Sequence, residues 1–129
     1  THDRALEDAG ALMEAFWTRL APLGPRLGPA LLQLPPWFGP ERLGQLATFL
    51  DGVPRGRRIA VELRHPAWFV ERALRSDVFA VLTARGAAAV VSDVAGRRDA
   101  CHGSQTAPFA FVRFAGNDLR STLEALGLP

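Results

Sequence analysis

The sequence predicts an α/β protein built from parallel βαβ units. Two observations carry that expectation. Apolar stretches at 30–34, 59–64 and 87–92 alternate with stretches whose apolar residues recur every three or four positions, and strand, helix, strand, helix, strand is the order that parallel units require. The strands are also nearly continuous in apolar residues, as expected when helices cover both faces of a sheet.

The elements follow in order. Residues 3–21 predict a helix, because Leu6, Ala9, Met13, Phe16, Trp17 and Leu20 form one apolar stripe. Asp3 suits its N-cap, and Pro22, Gly24 and Pro25 end it. Phe16 and Trp17 read as core packing. Strand 30–34 is stopped by Pro35 and Pro36. A second helix begins near Pro40, a residue suited to a first helical turn, and buries Leu43, Leu46, Ala47 and Leu50. Gly52, Pro54 and Gly56 make the loop before strand 59–64. The spacing of Val70, Ala73, Leu74, Val78, Val81 and Leu82 predicts a third helix over 70–85, closed by Gly86. Strand 87–92 follows. Residues 94–107 are too irregular for a helix. Residues 109–114 make a fourth strand, Gly116 a turn, and Asp118 the start of a short helix with Leu119, Leu123 and Leu126.

Composition bounds the rest. A chain of 129 residues is enough for one domain with a modest core, and 48% hydrophobic with 22% charged residues is ordinary for a soluble globular protein. No apolar run approaches a membrane span and no leader-like segment occurs. The opening at Thr1, without Met, reads as a processed or truncated piece. Cys101 is the sole cysteine, so no internal disulfide forms, and a reducing, cytoplasmic setting is expected. Cys101 with His102 is a weak metal signal, better read as a solvated loop. All 15 basic residues are Arg, yet the net charge is only +2. The pI of 9.9 reflects how reluctantly Arg loses its proton rather than a large positive excess. That is thin support for nucleic-acid binding and allows a weak preference for anions. His2 is terminal and has no assigned role. "LPPW" at 34–37 resembles a polyproline ligand only superficially and reads as a rigid loop. No nucleophile elbow, P-loop, dinucleotide fingerprint or zinc-protease motif occurs.

Ligands of α/β folds bind beyond the carboxyl ends of the parallel strands. At those ends stand Gln33; Glu62, Arg64 and His65; Ser92 and Asp93; and Arg113, with Asn117 and Asp118 just after. Alternation puts Glu62 and Arg64 on one face, and Phe109, Phe111 and Arg113 on one face. Buried charges need partners, which leaves two readings. One is a structural ion-pair network, such as Glu62 with Arg64 or Arg113. The other is a polar pocket. In the pocket, Glu62 or Asp93 would act as general base, His65 as acid or ligand, and Arg64 and Arg113 as a clamp for carboxylate or phosphate. Glu62, His65 and Asp93 also suit a divalent metal, although nothing in their spacing requires one. Trp68 reads equally as a pocket wall or as a staple onto the following helix.

"LLQLPPWF" (31–38), "AVELRHPAWF" (60–69), "VVSD" (90–93) and "FAFVRFAGN" (109–117), in this order, resemble the DUF72 or YecE-like family. The resemblance covers nearly the whole chain. It implies a TIM-barrel-like fold and no established biochemical activity. Gln33, Glu62, Arg64, His65, Trp68, Asp93, Arg113 and Asn117 fall in the family's recurrent segments. Members are about twice as long, with a first strand of Gly-Ser-Trp type and a last strand bearing an aromatic and Asn, neither found here. The chain therefore resembles about strands four to seven of an eight-stranded barrel. Such a partial barrel is either an open α/β sheet, or completed by another copy or chain, or part of something larger. Its open edges would suit self-association.

The expected function is an enzyme acting on a small polar or anionic molecule by carboxylate acid–base chemistry, as a hydrolase, lyase or isomerase. The alternative is a non-catalytic binding or assembly module, with nucleic acid as one possible partner. No membrane partner is expected.

Overall fold

The computed structural model describes residues 6, 9–94 and 97–116. Its centre is a four-stranded sheet in the order β1–β2–β5–β6, formed by β1 (Ala30–Gln33), β2 (Ile59–Glu62), β5 (Ala88–Val94) and β6 (Phe111–Gly116). All three pairings are parallel. The parallel βαβ architecture expected from the sequence is therefore the one observed.

Helix α2 (Leu43–Asp51) and helix α3 (Ser76–Ala84) are the crossovers β1 to β2 and β2 to β5. Each is short, and tertiary packing rather than intrinsic propensity holds such helices. Leu46 and Leu50 of α2, with Val78 and Leu82 of α3, pack on Val61, Leu63, Leu34, Ile59 and Ala89. Every one of these strand residues lies on the outer, helix-covered face. The opposite face carries a smaller cluster of Ala60, Ala88, Val90 and Ala107, against which Phe109 and Phe111 pack. One sheet thus has an outer face of large aliphatics and an inner face of small residues and two aromatic rings. Among the described residues no helix is long and apolar enough to cross a membrane.

The structure corrects several element boundaries. Helix α1 is Gly10–Leu20, and Leu6 stands outside it with φ 75°; the expected cap Asp3 lies outside the described residues. The expected helix over 70–85 is instead a small hairpin, β3 (Phe69–Val70) paired with β4 (Ala73–Leu74), followed by α3. Its two-residue turn puts Glu71 and Arg72 at φ 49° and 65°, the mirror-image turn that suits hairpin twist. Loop 97–107 holds one short 3-10 turn at Arg98–Ala100. The last helix expected after Asp118 lies outside the described residues.

Candidate functional site

Strand parity assembles the site. Gln33 is the register partner of Glu62, and Ser92 that of Arg113. In each strand the residue two positions earlier, Leu31, Ala60, Val90 or Phe111, shares its face. The β2–β5 pairing of Ala60 with Ala88 sets Glu62 level with Val90, so Ser92 and Arg113 stand one inward-facing step further along, and the four polar side chains meet through the hydrogen bonds of Glu62 on the carboxyl-terminal side of the sheet, above an apolar floor.

Glu62 is the hub. It is 3% exposed, and a carboxylate that far from water costs several kcal/mol unless charge and hydrogen bonds replace its hydration. They do. Arg113 Nη1 donates to Oε1 at 2.8 Å and to Oε2 at 2.9 Å. Gln33 Nε2 donates to Oε2 at 3.0 Å, and Ser92 Oγ lies 3.5 Å from Oε1. A carboxylate offers about four lone-pair sites, so all are occupied, the Ser92 contact being the longest. The arginine is spent unevenly. Its Nη1 serves Glu62, while Nε and Nη2 make no hydrogen bond among the described residues and the side chain is 41% exposed. The cluster thus turns a guanidinium edge outward, oriented from beneath by a buried carboxylate.

The other expected site residues make no hydrogen bond to Glu62 among the described residues. Arg64 follows the end of β2; its carbonyl accepts Arg97 Nη1 at 2.8 Å, and its own guanidinium has no hydrogen-bond or ion-pair partner among the described residues. His65 caps the 3-10 turn Pro66–Trp68, its Nδ1 accepting the Ala67 amide at 3.1 Å. In the neutral ring this leaves the proton on Nε2. Asp93 stands one position beyond Ser92, where alternation turns it to the outer face, next to a register shift at Asp93/Val94. Trp68 is fully buried in the outer core, and its Nε1 donates to the Phe38 carbonyl at 2.8 Å. It shares that core with Leu74, Val78 and Leu82 of the segment that follows it. Asn117 lies outside the described residues.

Ser92 stands at the hub in place of Asp93, and the signal that finds it is parity with Val90 and Ala88. Arg97 carries no such signal in the sequence. It is bound bidentately to Asp99, which keeps that carboxyl below the usual range, and it ties the loop after β5 to the end of β2. His102 is buried with both ring nitrogens engaged: Nδ1 accepts the Ser104 amide at 3.1 Å and Nε2 faces the Val90 carbonyl at 3.2 Å. Burial pushes its imidazole below the ordinary value, so the ring is a neutral brace and does not join Cys101 as a ligand pair. Among the described residues no three His, Cys, Asp or Glu side chains gather closely enough to hold a metal.

The chain matches the family described as "Protein of unknown function DUF72" over residues 1–126. It is 39% identical over 93 residues to the UPF0759 protein YecE of Escherichia coli K12, an alignment covering 72% of this chain and 34% of the relative; the O157:H7 protein gives the same figures. A DUF72 family protein of Enterococcus faecalis, known from its crystal structure, superposes with a TM-score of 0.68 at 22% identity over 83% of this chain and 45% of that one. That likeness supports a partial TIM-barrel-like fold, and the chain spans only about a third of the curated relatives it matches. By family match and identity alike, the chain belongs to the DUF72 family.

Proposed function

We propose that the Glu62–Arg113 cluster is the ligand site of a barrel-type enzyme acting on a small polar or anionic molecule. The observation that carries this reading is the convergence of Gln33, Glu62, Ser92 and Arg113 from four parallel strands on one carboxylate, on the carboxyl-terminal side of the sheet where α/β folds bind ligands. Arg113 would take a carboxylate or phosphate oxygen on its unused donors. Glu62 would act as the base through Oε1, where the 3.5 Å Ser92 contact is the weakest of its four bonds and yields most readily to a substrate hydrogen. His65 would supply a proton from Nε2, since its Nδ1 is occupied. Arg64, whose guanidinium is unclaimed among the described residues, would add a second positive charge. A nucleic-acid role has less support, because Arg75, Arg85 and Arg97 are each bound to a carboxylate.

Titration with inorganic phosphate and with malonate tests the site. Binding is expected for the unmodified protein and is expected to fall at least tenfold in Arg113→Gln. Equal binding by the two proteins would remove Arg113 from the site and the proposal with it.

A further inference from the structure

We infer that Trp37 is a stacking platform beside the Glu62–Arg113 cluster, and that the anion taken by this site carries a planar ring. The inference rests on the ligand-site reading above and adds a ligand class to it.

Trp37 stands on the same side of the sheet as the cluster. Gln33, which closes β1, donates to Glu62, and the next amide, that of Leu34, donates to the Glu62 carbonyl at 3.0 Å. Trp37 follows Gln33 by four residues, a stretch that spans at most about 14 Å when fully extended. The chain is not extended there. The Phe38 amide donates to the Pro35 carbonyl at 3.0 Å, closing a β-turn with Pro36 at its second position and Trp37 at its third. The indole is therefore the corner of the turn by which the chain leaves the carboxyl end of β1.

That turn is held on both sides of the ring. Pro36 fixes the backbone angle that the second position needs. Phe38 is fully buried, and its carbonyl accepts Trp68 Nε1 at 2.8 Å. Between them Trp37 is 48% exposed. Turn corners ordinarily carry Gly or a small polar residue. A large ring contributes nothing to the turn and leaves apolar surface in water. A rigidly mounted, half-exposed aromatic is what a stacking contact needs, because its ordering has been met before the ligand arrives.

Arg42 decides what stacks. Its Cζ lies 5.1 Å from the centre of the Trp37 ring, so a guanidinium backs one face and leaves the other to solvent. The guanidinium is itself held, by Gln45 Oε1 at 3.4 Å and Glu41 Oε1 at 3.7 Å. A cation on one face draws on the negative potential of the ring, so the open face suits an electron-rich planar group rather than a second cation. Arg113 presents its unspent N–H donors to the charge. The ligand class that uses both is a phosphate or carboxylate joined to a planar ring, with the anion on Arg113 and the ring on Trp37.

Adenosine 5′-monophosphate and ribose 5-phosphate differ by a planar base, and titrating the chain with each isolates the ring. Of the three tryptophans, Trp17 and Trp68 are buried, so quenching by a solvent-borne ligand reports Trp37. The adenosine ligand is expected to bind about tenfold more tightly than ribose 5-phosphate and to quench indole emission. Trp37→Ala should bring its affinity down to that of ribose 5-phosphate, and Trp37→Phe should restore part of the difference. If Trp37→Ala fails to fold, emission of the unmodified protein decides. Equal affinity for the two ligands, a difference that Trp37→Ala leaves intact, or binding of the adenosine ligand without quenching would overturn the inference and leave the Arg113 site standing. Binding of neither ligand would remove the site reading and the inference together.

Discussion

Arg113 reaches back 51 residues to hold both carboxylate oxygens of Glu62 through a single nitrogen, at 2.8 and 2.9 Å. The buried partner is the acid and the half-exposed partner is the base, so the two are not equivalent when removed.

Arg113→Met should destabilise the protein by about 2–4 kcal/mol, at or below the range for breaking a fully buried pair because water can reach part of the vacated site. Glu62→Leu combined with Arg113→Met should recover most of that loss, since no charge is then stranded. Urea unfolding of the two single variants and the double variant closes the cycle. Strictly additive losses would show that the two side chains do not depend on each other.

Ser92 and Asp93 should separate in a binding assay. Ser92→Ala touches the Glu62 face and should alter phosphate or malonate affinity several-fold. Asp93→Asn changes the outer face and should alter it by less than twofold. The opposite ranking, measured by calorimetric titration, would mean that parity does not govern which side chain meets the ligand.

Trp68→Phe should cost about 2 kcal/mol, the sum of a lost buried hydrogen bond to Phe38 and a small void. Ligand affinity should be unchanged, because Trp68 lies in the outer core. A loss of affinity without a loss of stability would return the indole to the pocket.

His102 gives the pH dependence its sign. Burial depresses its imidazole in the folded protein, so the unfolded chain takes up the proton first. Its contribution is complete above the ordinary imidazole value of about 6.5 and is lost as pH falls from there towards the folded value. Urea midpoints should drop between pH 7.5 and 5.5, and His102→Gln should flatten that drop. A midpoint rising over the same interval would contradict the assignment of a neutral ring.

Much of this architecture was legible because parallel strands announce themselves as short apolar runs. The runs at 30–34, 59–64, 87–92 and 109–114 are such stretches, each overlapping an observed strand, and they present polar groups towards a common end. The hairpin at 69–74 was not legible. Val70, Ala73 and Leu74 fall at helical spacing by coincidence, and its turn uses Glu71 and Arg72 at positive φ without the Gly or Asn that advertises such a turn. In the site, Asp93 drew notice for its chemistry while alternation favoured Ser92. Trp68 stands close behind a strand-end cluster in sequence, but the 3-10 turn at Pro66–Trp68 carries its ring to the far side of the sheet.

Glu62 draws its hydrogen-bond donors from residues 29, 30 and 51 positions away. No local segment can shed the water around that carboxylate, which stays hydrated until the outermost strands are aligned. Dehydration of one side chain is thereby tied to completion of the entire sheet. Folding should accordingly show a late, slow phase that quickens when Glu62 is replaced by an aliphatic residue, even where the finished protein gains nothing in stability.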